Sequence, residues 1–391
     1  MTASDIAKVW QFSTVDVNDY YADICRTLME AGTETSPRGK LTKELHPTTA
    51  LILQPRKRVM TCFGRVINFP FALVEAIQII TGQNDAQALS FYNSSIIGIQ
   101  GDGSRGTPHW ELGVTRFNAA YGERMREFEA SVRNKSNVTE PVKVDQLEHV
   151  IQTLVGDPDS RQASIVLSHP AYDNYTKITR DRACNVYAHA MIRDGKLDWM
   201  QIIRSNDAVW GIPYNIMQWS HVQEWVAASL HVQMGHMFIV QDSFHVYEDF
   251  YQQCEDVKPF DLYQYFENPP LAMEANAAIS TELFLAERNI RNSIEYHHDD
   301  FKRLDNMVGP YWRAVIQVLQ AYREFKQGYD DKAFETLPEY AELRAPMLRQ
   351  FCHYRWNKNP EKYTDLIQLA YLELSSYGVP YEQVRKWLGT A

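Results

Sequence analysis

A short part of the chain, residues 182–247, collects side chains suited to binding and attacking a nucleotide. A cysteine can supply a nucleophile in its thiolate form. An arginine beside a serine can hold a phosphate through several hydrogen bonds. An asparagine adds an uncharged amide, and a histidine and a tyrosine two residues apart share one face of a predicted strand. These residues are Cys184, Arg204, Ser205, Asn215, His245 and Tyr247.

Cys184 differs in its surroundings from the other four cysteines of the chain. It follows Arg180-Asp181-Arg182 and precedes a predicted strand that leads to Arg204. Because a nearby guanidinium stabilises a thiolate, we expect Cys184 to be the reactive cysteine. The others are expected to be small buried residues. They are Cys25, Cys62, Cys254 and Cys352.

Composition excludes several classes of protein. The chain has 391 residues, 45% of them hydrophobic, which is enough to bury a large core. Its net charge of −10 argues against a protein that coats nucleic acid, although a locally bound small anion is allowed. Five cysteines without a CxxC motif indicate neither a disulfide framework nor a zinc site, so no metal is predicted and a reducing cytoplasm is expected. Neither a secretory leader nor a membrane span is predicted.

The first part of the chain alternates predicted helices and strands. Apolar spacing predicts helices at 14–31 and 71–81, a polar loop at 33–47, and strands at 48–54 and 59–69. The basic run Arg56-Lys57-Arg58 is either a solvated turn or a phosphate-facing loop. The glycine-rich stretch 98–106 lacks the residues of a phosphate loop and is interpreted as a surface loop.

Glu75 is the single acid in the apolar helix predicted at 71–81. A carboxylate among apolar residues costs free energy unless it is paired, solvated or used. We therefore predict that Glu75 faces a cavity.

The second part of the chain contains the elements that must position the chemical residues. Helices are predicted at 144–155 and 216–230, the second with Trp219 and Trp225 in the core, and strands at 163–168 and 196–204. Beyond Ile279 the pattern is helical, at 282–296, 310–328, 331–348 and 361–388. This tail is interpreted as a separate helical appendix.

The motifs around Cys184 resemble those of the thymidylate synthase family. Arg-Ser-Asn-Asp (204–207) is similar to its Arg-Ser-x-Asp, and Gly-Ile-Pro-Tyr-Asn-Ile (211–216) to its Gly-x-Pro-Phe-Asn-Ile. His245 and Tyr247 match its Gly-Asp-x-His-x-Tyr, with Asp242 and Ser243 at the first two positions. The intervals from Cys184 to these motifs fit without gaps.

Upstream the resemblance is thinner and covers the chain from about residue 63 to residue 296. Tyr121 falls in a Tyr-Gly motif, Arg161 in an Asp-Pro-Asp-Ser-Arg loop, and Glu75 at the catalytic glutamate. The resemblance implies an α/β (α+β) fold: a thymidylate synthase-like large mixed β-sheet flanked by helices, with an extra C-terminal helical extension. The implied domains are an N-terminal helical segment (1–45), a catalytic domain (46–296) and the extension (297–391). The family also implies a homodimer with shared active sites.

The resemblance further implies one-carbon transfer from 5,10-methylenetetrahydrofolate to C5 of a pyrimidine nucleotide. Cys184 would add to C6, and Glu75 would organise water and move protons. The remaining roles are also carried over from the family. Phosphate would bind Arg204, Ser205, the partner subunit's Arg161 and a loop arginine, Arg56 or Arg58; ribose would bind His245 and Tyr247; Tyr121, Asp207, Gly211 and Asn215 would complete the site; folate would meet Asp207, Glu75 and Ile97.

Asn215 would choose the base. A neutral amide can donate to O4 of uracil and accept from its N3–H, whereas cytosine presents the opposite pattern. This favours dUMP over dCMP as substrate. Taken alone, Asn215 could equally cap the helix that follows it.

Departures from the family motif alter the expected product. The chain has Ala183-Cys184-Asn185 where the family has Pro-Cys-His, Ile97 in place of a folate-side tryptophan, and Ile203 in place of a glutamine. A helical extension replaces the short closing tail. In thymidylate synthases that tail and that tryptophan favour hydride transfer, so their loss favours water addition. The pattern resembles the phage deoxynucleotide hydroxymethylase branch, which implies 5-hydroxymethyl-dUMP and tetrahydrofolate as products.

Three alternatives stay open. The first is reductive methylation of dUMP, as in ordinary thymidylate synthesis. The second is hydroxymethylation of dCMP or CMP. The third is a catalytically inactive nucleotide- or RNA-binding relative, against which the retained Cys184 and Glu75 argue. For a viral protein the expected compartment is the host cytoplasm.

Overall fold

The computed structural model describes residues 9–99, 116–175 and 181–389. Most of the predicted surface loop at 98–106 lies outside this part of the chain, and so does the side chain of Ile97.

A mixed sheet of six strands forms the centre of the molecule. Its order is β1-β4-β11-β9-β8-β7, with β1 parallel to β4, β11 parallel to β9, and the other neighbours antiparallel. The strands are β1 (Trp10–Thr14), β4 (Thr48–Ile52), β7 (Ser164–Val166), β8 (Asn185–Arg193), β9 (Lys196–Ile203) and β11 (Gln233–Gln241). The predicted large mixed sheet is confirmed.

Two smaller sheets lie beside it. One has the order β10-β12-β3-β2 and the other is a hairpin of β5 and β6. Their strands are β2 (Thr33–Thr35), β3 (Thr42–Leu45), β5 (Phe128–Arg133), β6 (Thr139–Val144), β10 (Asn206–Asp207) and β12 (Phe244–Tyr247). The predicted loop at 33–47 is therefore wrong in part, because it contains β2 and β3.

Helices flank the sheets and make up the last third of the chain. They are α1 (Val17–Ala31), α2 (Phe69–Thr81), α3 (Ala86–Tyr92), α4 (Tyr121–Arg126), α5 (Gln146–Gly156), α6 (Ile212–Ser229), α7 (Tyr251–Glu255), α8 (Ala277–Arg291), α9 (His298–Gln327), α10 (Asp330–Thr336), α11 (Ala341–Tyr354), α12 (Thr364–Ser376) and α13 (Tyr381–Leu388). Among the described residues, no helix is both long and apolar enough to cross a membrane.

Helix α6 is buried along most of its length, including Trp219 and Trp225, as predicted. It packs against β9 and β11 on one side and against α2 on another. Pro213 in its first turn has a preset φ and needs no backbone donor there. Asn68 caps α2, and Gly82 ends it at φ 79°, a conformation that favours glycine.

Residues 59–69, all of them described, form no strand, which corrects the prediction. Phe63 forms an isolated bridge with Lys258, and several other backbone groups of the segment pair with side chains from distant parts of the chain. The carbonyl of Thr61 accepts from Trp387 Nε1 at 2.6 Å, and that of Cys62 accepts from Arg349 Nη2 at 2.9 Å. The apolar spacing indicated that this segment is buried, but it does not show which groups form hydrogen bonds with its backbone.

The C-terminal helices dock directly on α2 and the segment before it. Gln350 of α11 accepts a hydrogen bond from the backbone N–H of Phe69 at 2.9 Å, at the start of α2. The hydroxyl of Tyr322 in α9 donates to the carbonyl of Tyr92. Buried apolar residues of these helices and of the sheet form one continuous core.

Replacing Trp387 tests this docking. Its side chain is 2% exposed, so Trp387→Ala removes buried area and a hydrogen bond to Thr61. We expect a loss of about 3–5 kcal/mol in the free energy of unfolding, measured by urea denaturation. The control Leu372→Ala, at a side chain that is 59% exposed, should change it by less than about 0.5 kcal/mol. Equal effects of the two changes would contradict the proposed docking.

Candidate active site

Cys184 lies just before β8 and next to Arg204, which follows β9. The antiparallel pairing of β8 and β9 brings them together, with Asn185 opposite Ile203. Arg204 donates its backbone N–H to the carbonyl of Cys184 at 2.9 Å and its Nε to the carbonyl of Ala183 at 2.8 Å. Its Nη2 lies 3.9 Å from Cys184 Sγ. The structure thus brings together the Cys184 thiol and the Arg204 guanidinium, which the sequence predicted to be neighbours.

Tyr121 holds the backbone at Cys184 from the side of α4. Its hydroxyl oxygen accepts hydrogen bonds from the backbone N–H of Cys184 at 3.1 Å and of Asn185 at 3.0 Å. The next residue, Gly122, allows α4 to approach α2 closely, since a Cβ there would lie 2.3 Å from the carbonyl oxygen of Gln78. The sequence motif Tyr-Gly therefore combines an anchor with a close helix contact.

The thiol of Cys184 is not activated in the free protein. Burial raises its pKa above the usual value, and the guanidinium groups of Arg204 and Arg38 offset only part of this effect. The guanidinium of Arg204 does lower this pKa, as expected of a cation beside Cys184, but desolvation of the thiolate is the larger effect here.

Strands β10 and β12 pair in parallel and place Asp207 beside His245. Asp207 Oδ1 accepts from the N–H groups of Val209 at 2.7 Å and Trp210 at 2.8 Å, which shapes the turn into α6. Burial lowers the pKa of His245, so its imidazole is neutral near pH 7. The ring of Tyr247 lies 5.4 Å from that of His245, in a T-shaped contact.

Arg38 completes this side of the site and was missed in the sequence. It sits in a short helical turn at Pro37–Gly39 with φ 56°, and its Nη2 donates to the hydroxyl of Tyr247 at 3.2 Å. Its charge also lowers the pKa of Cys184. The Pro-Arg-Gly sequence, an arginine flanked by two turn residues, was the available signal.

Arg56 lies elsewhere, which corrects its predicted place at the phosphate. Its Nε is 2.8 Å from Glu224 Oε1, and Arg58 is paired with the same buried carboxylate. Glu224 is nine residues beyond Asn215 on α6, or about 14 Å along the helix axis. Within the basic run, Arg56 and Arg58 thus share one buried carboxylate, whereas Lys57 Nζ lies 4.0 Å from Asp261 Oδ2.

Asn215 lies inside α6, and Gly211 occupies the cap position, so the capping role is excluded. The Asn215 side chain hydrogen bonds with two other asparagines, Asn185 and Asn206, at 3.0 Å each. Gly211 is required for this arrangement, because a Cβ at that position would lie 2.3 Å from Asn206 Oδ1.

Glu75 faces a cavity of about 160 Å³ that Tyr121 and Gln218 also line. Burial raises the pKa of Glu75 to about 8. Its Oε2 is buried without a hydrogen-bond partner among the described residues, and the same is true of Gln218 Oε1. Gln218 is three residues after Asn215 on α6, so the two side chains share one helix face. Two buried acceptors facing one cavity indicate a place for a polar ligand or water.

The remaining predicted site residues lie at the edges. Ser205 follows Arg204 and is half-buried. Arg161 is exposed in the segment after α5, and its backbone carbonyl lies 3.1 Å from His189 Nε2.

Comparison with known proteins adds to this geometry. A sequence model of the family described as thymidylate synthase matches residues 19–301. The chain belongs to the thymidylate synthase family. Within it, the chain is 35% identical over 244 residues to the deoxyuridylate hydroxymethyltransferase of Bacillus phage SP01, a match that covers 62% of this chain and 60% of that protein.

Two further relatives carry two different names. The deoxyuridylate hydroxymethyltransferase of Pseudomonas phage M6 is 29% identical over 52% of this chain and 51% of its own length. The thymidylate synthase of Bacillus licheniformis is 24% identical over 51% of this chain and 62% of its own length. The chain thus spans between about half and three fifths of these relatives.

Alkylation of this thymidylate synthase family member tests the environment of Cys184. The other four cysteines are buried, so iodoacetamide should modify Cys184 first, as peptide mass spectrometry would show. Because burial raises its pKa, the midpoint of the rate against pH should lie above about 8.5. Arg204→Ala removes the offsetting charge and should move the midpoint further upward. A wild-type midpoint below about 8 would contradict this electrostatic account.

Proposed function

We propose that the chain transfers a hydroxymethyl group from 5,10-methylenetetrahydrofolate to C5 of dUMP, giving 5-hydroxymethyl-dUMP and tetrahydrofolate. The observation that carries the proposal is the cluster of Cys184, Arg204 and Asn215. The 35% identity to a phage protein named deoxyuridylate hydroxymethyltransferase supports the same reaction.

Cys184 would start the reaction. Its Sγ bonds to C6 of uracil, and the electron pair of the C5–C6 double bond becomes available at C5. When bound, methylenetetrahydrofolate would supply the one-carbon unit, and C5 would bond to its methylene carbon as one of the two carbon–nitrogen bonds of that carbon breaks. Loss of the C5 proton would then break the second carbon–nitrogen bond, so that tetrahydrofolate leaves and an exocyclic methylene remains on C5. Water then adds its hydroxyl to that methylene while the C6–S bond breaks and C5–C6 becomes a double bond again.

Arginines would bind the phosphate of dUMP. Arg204 and Arg38 both act electrostatically on Cys184, so a phosphate between them would lie near the nucleophile. Ser205 adds a hydroxyl. His245 and Tyr247 would hold the ribose, with the neutral His245 available as both donor and acceptor.

Glu75 and Gln218 would serve the water step. Both have a buried oxygen that lacks a partner among the described residues, and a water bound to them would be held in the cavity beside Tyr121. A carboxyl group with a pKa of about 8 can exchange protons efficiently near neutral pH. Glu75 is therefore proposed to organise this water and to exchange protons with it, accepting one when the carboxyl group is ionised.

The cavity walls also fit a flat ring with a polar edge. Ile79, Leu89 and Phe117 form an apolar side, and Glu75 contributes the polar side. We propose that Glu75 and Asp207 hold the folate. The identity to a thymidylate synthase keeps reductive methylation as a second candidate, with dihydrofolate as its co-product.

Identifying the pyrimidine product by mass tests the proposal. The chain is incubated with dUMP and methylenetetrahydrofolate. A gain of CH2O is expected, and a gain of CH2 would show thymidylate synthesis instead. Cys184→Ser should give no product. Glu75→Gln should lower kcat about 10²–10⁴-fold while dUMP binding, measured by calorimetry, changes little. Turnover by Cys184→Ser would refute the covalent mechanism.

The exposed Arg161 supports a second proposal, that the chain forms a homodimer with shared sites. In it, the partner subunit's Arg161 would reach the phosphate held by Arg204. One site would then need residues from two chains.

Mixing two inactive variants tests the shared site. Arg161→Ala and Cys184→Ser should each be inactive. After exchange of subunits, roughly a quarter of wild-type activity should return, because half of the dimers are mixed and each has one intact site. No recovery, with mixed dimers shown by mass spectrometry of the intact complex, would place Arg161 outside the partner's site.

A further inference from the structure

Five side-chain amides form one hydrogen-bonded chain through the centre of the molecule. Each amide donates to the oxygen of the next. In order they are Gln201, Asn185, Asn215, Asn206 and Gln241. The first connects β9 to β8, and the last lies at the end of β11.

Two tryptophans fix the direction of the chain at its start. Trp199 Nε1 donates to Gln201 Oε1 at 3.1 Å, and Trp219 Nε1 donates to Asn185 Oδ1 at 2.8 Å. An indole N–H can only donate, so both amides must present their oxygens to it. Gln201 Nε2 donates to the same Asn185 oxygen at 3.1 Å.

The same constraint then fixes the orientation of the Asn215 amide. Because its oxygen is taken by the indole, Asn185 must offer Nδ2, which donates to Asn215 Oδ1 at 3.0 Å. Asn215 Nδ2 in turn donates to Asn206 Oδ1 at 3.0 Å. A flipped Asn215 would set two NH2 groups face to face on one side and two oxygens face to face on the other.

At the other end of the five-amide chain, Gln241 contacts hydroxyl groups and not indoles. Gln241 Nε2 donates to the hydroxyl oxygens of Tyr20 and Thr48, at 2.8 Å each. Hydroxyl groups can donate as well as accept. The amides of Asn206 and Gln241 could therefore exchange their donor and acceptor ends if Asn215 did so. Gln201 and Asn185 cannot, because the indole groups that bind them only donate.

Burial separates Asn215 from the other four amides. Gln201, Asn185, Asn206 and Gln241 are each at most 1% exposed, whereas Asn215 is partly open. Each amide oxygen can accept two hydrogen bonds, and each NH2 can donate two. Of the described residues, Asn185 and Asn206 supply the hydrogen bonds of the Asn215 side chain, which leaves it one acceptor site and one donor hydrogen for a ligand. The orientation of both is set by groups that the ligand does not touch.

We infer that Asn185 is a positioning residue that makes this chain select uracil over cytosine, by fixing which end of the Asn215 amide meets O4 and which meets N3. The inference rests on the proposed binding of dUMP. It gives a physical reason for the asparagine that follows Cys184, because a residue there must both accept from Trp219 and donate to Asn215.

The test reverses the direction with Asn185→Asp and measures binding of dUMP and of dCMP by calorimetry. The carboxylate still accepts from Trp219 and Gln201 but cannot donate, so Asn215 must turn its NH2 towards residue 185. We expect the ratio of dCMP affinity to dUMP affinity to rise at least about tenfold, the effect of exchanging one or two hydrogen bonds. Asn185→Leu, which adds no charge, should reduce the preference for dUMP without creating one for dCMP.

A matched control separates the effect of amide orientation on the affinity ratio from a general loss of stability. Gln350→Glu also introduces an acid at a buried amide, at 1% exposure, but outside the five-amide chain. It should lower stability and leave the affinity ratio unchanged. If the wild type binds neither nucleotide, the proposed function fails. If the wild type prefers dUMP and both Asn185 variants keep its ratio within about threefold, the inference on Asn185 is overturned.

Discussion

The hydroxyl oxygen of Tyr121 accepts the backbone N–H groups of both Cys184 and Asn185, and this contact joins α4 to the start of β8. The rest of the site follows from it. With that peptide held, the pairing of β8 and β9 places Arg204 against the thiol, and the Asn185 side chain reaches Asn215 on α6. On the other side, the ring of Tyr121 packs 5.6 Å from that of Trp219, which in turn donates to Asn185. One phenol thus contacts the start of β8 at Cys184, the indole of Trp219 that donates to Asn185, and the cavity that Glu75 lines.

Desolvation sets the chemical character of this site. Burial raises the pKa of Cys184 and of Glu75, and it lowers that of His245. All three groups are therefore mainly neutral near pH 7 in the free protein, and the cations beside them are the guanidinium groups of Arg204 and Arg38. A site with cations and few anions favours a phosphate ligand. Proton transfer among the neutral groups needs only a small change in their surroundings once a ligand excludes water.

The sequence predicted what depends on local pattern and on fixed intervals. The helices α1, α2, α5 and α6 and the strands β4, β7 and β9 follow from periodicity, whereas β1 and β11 of the central sheet were not predicted. The cluster of Cys184, Arg204 and Asn215 follows from motif spacing. Residues 59–69 escaped prediction because alternating apolar residues signal burial, whereas their backbone partners lie about 290 to 330 residues away in α11 and α13. Arg56 was predicted at the phosphate, and Arg38 was overlooked, for a similar reason. Only tertiary structure shows that Glu224 pairs with Arg56 and that a short turn brings Arg38 to Tyr247.

The docking of the C-terminal helices on the start of α2 also has a consequence for folding during synthesis. Helix α2 carries Glu75, yet the backbone of Phe69, Cys62 and Thr61 is satisfied by Gln350, Arg349 and Trp387. A ribosome adds roughly 5–20 residues per second, so tens of seconds pass between the emergence of the two parts. During that time these backbone groups of the nascent chain lack their final partners, and the apolar helix α2 is not covered. Such a chain is a natural client for chaperones that shield unfinished proteins until their last segment is made.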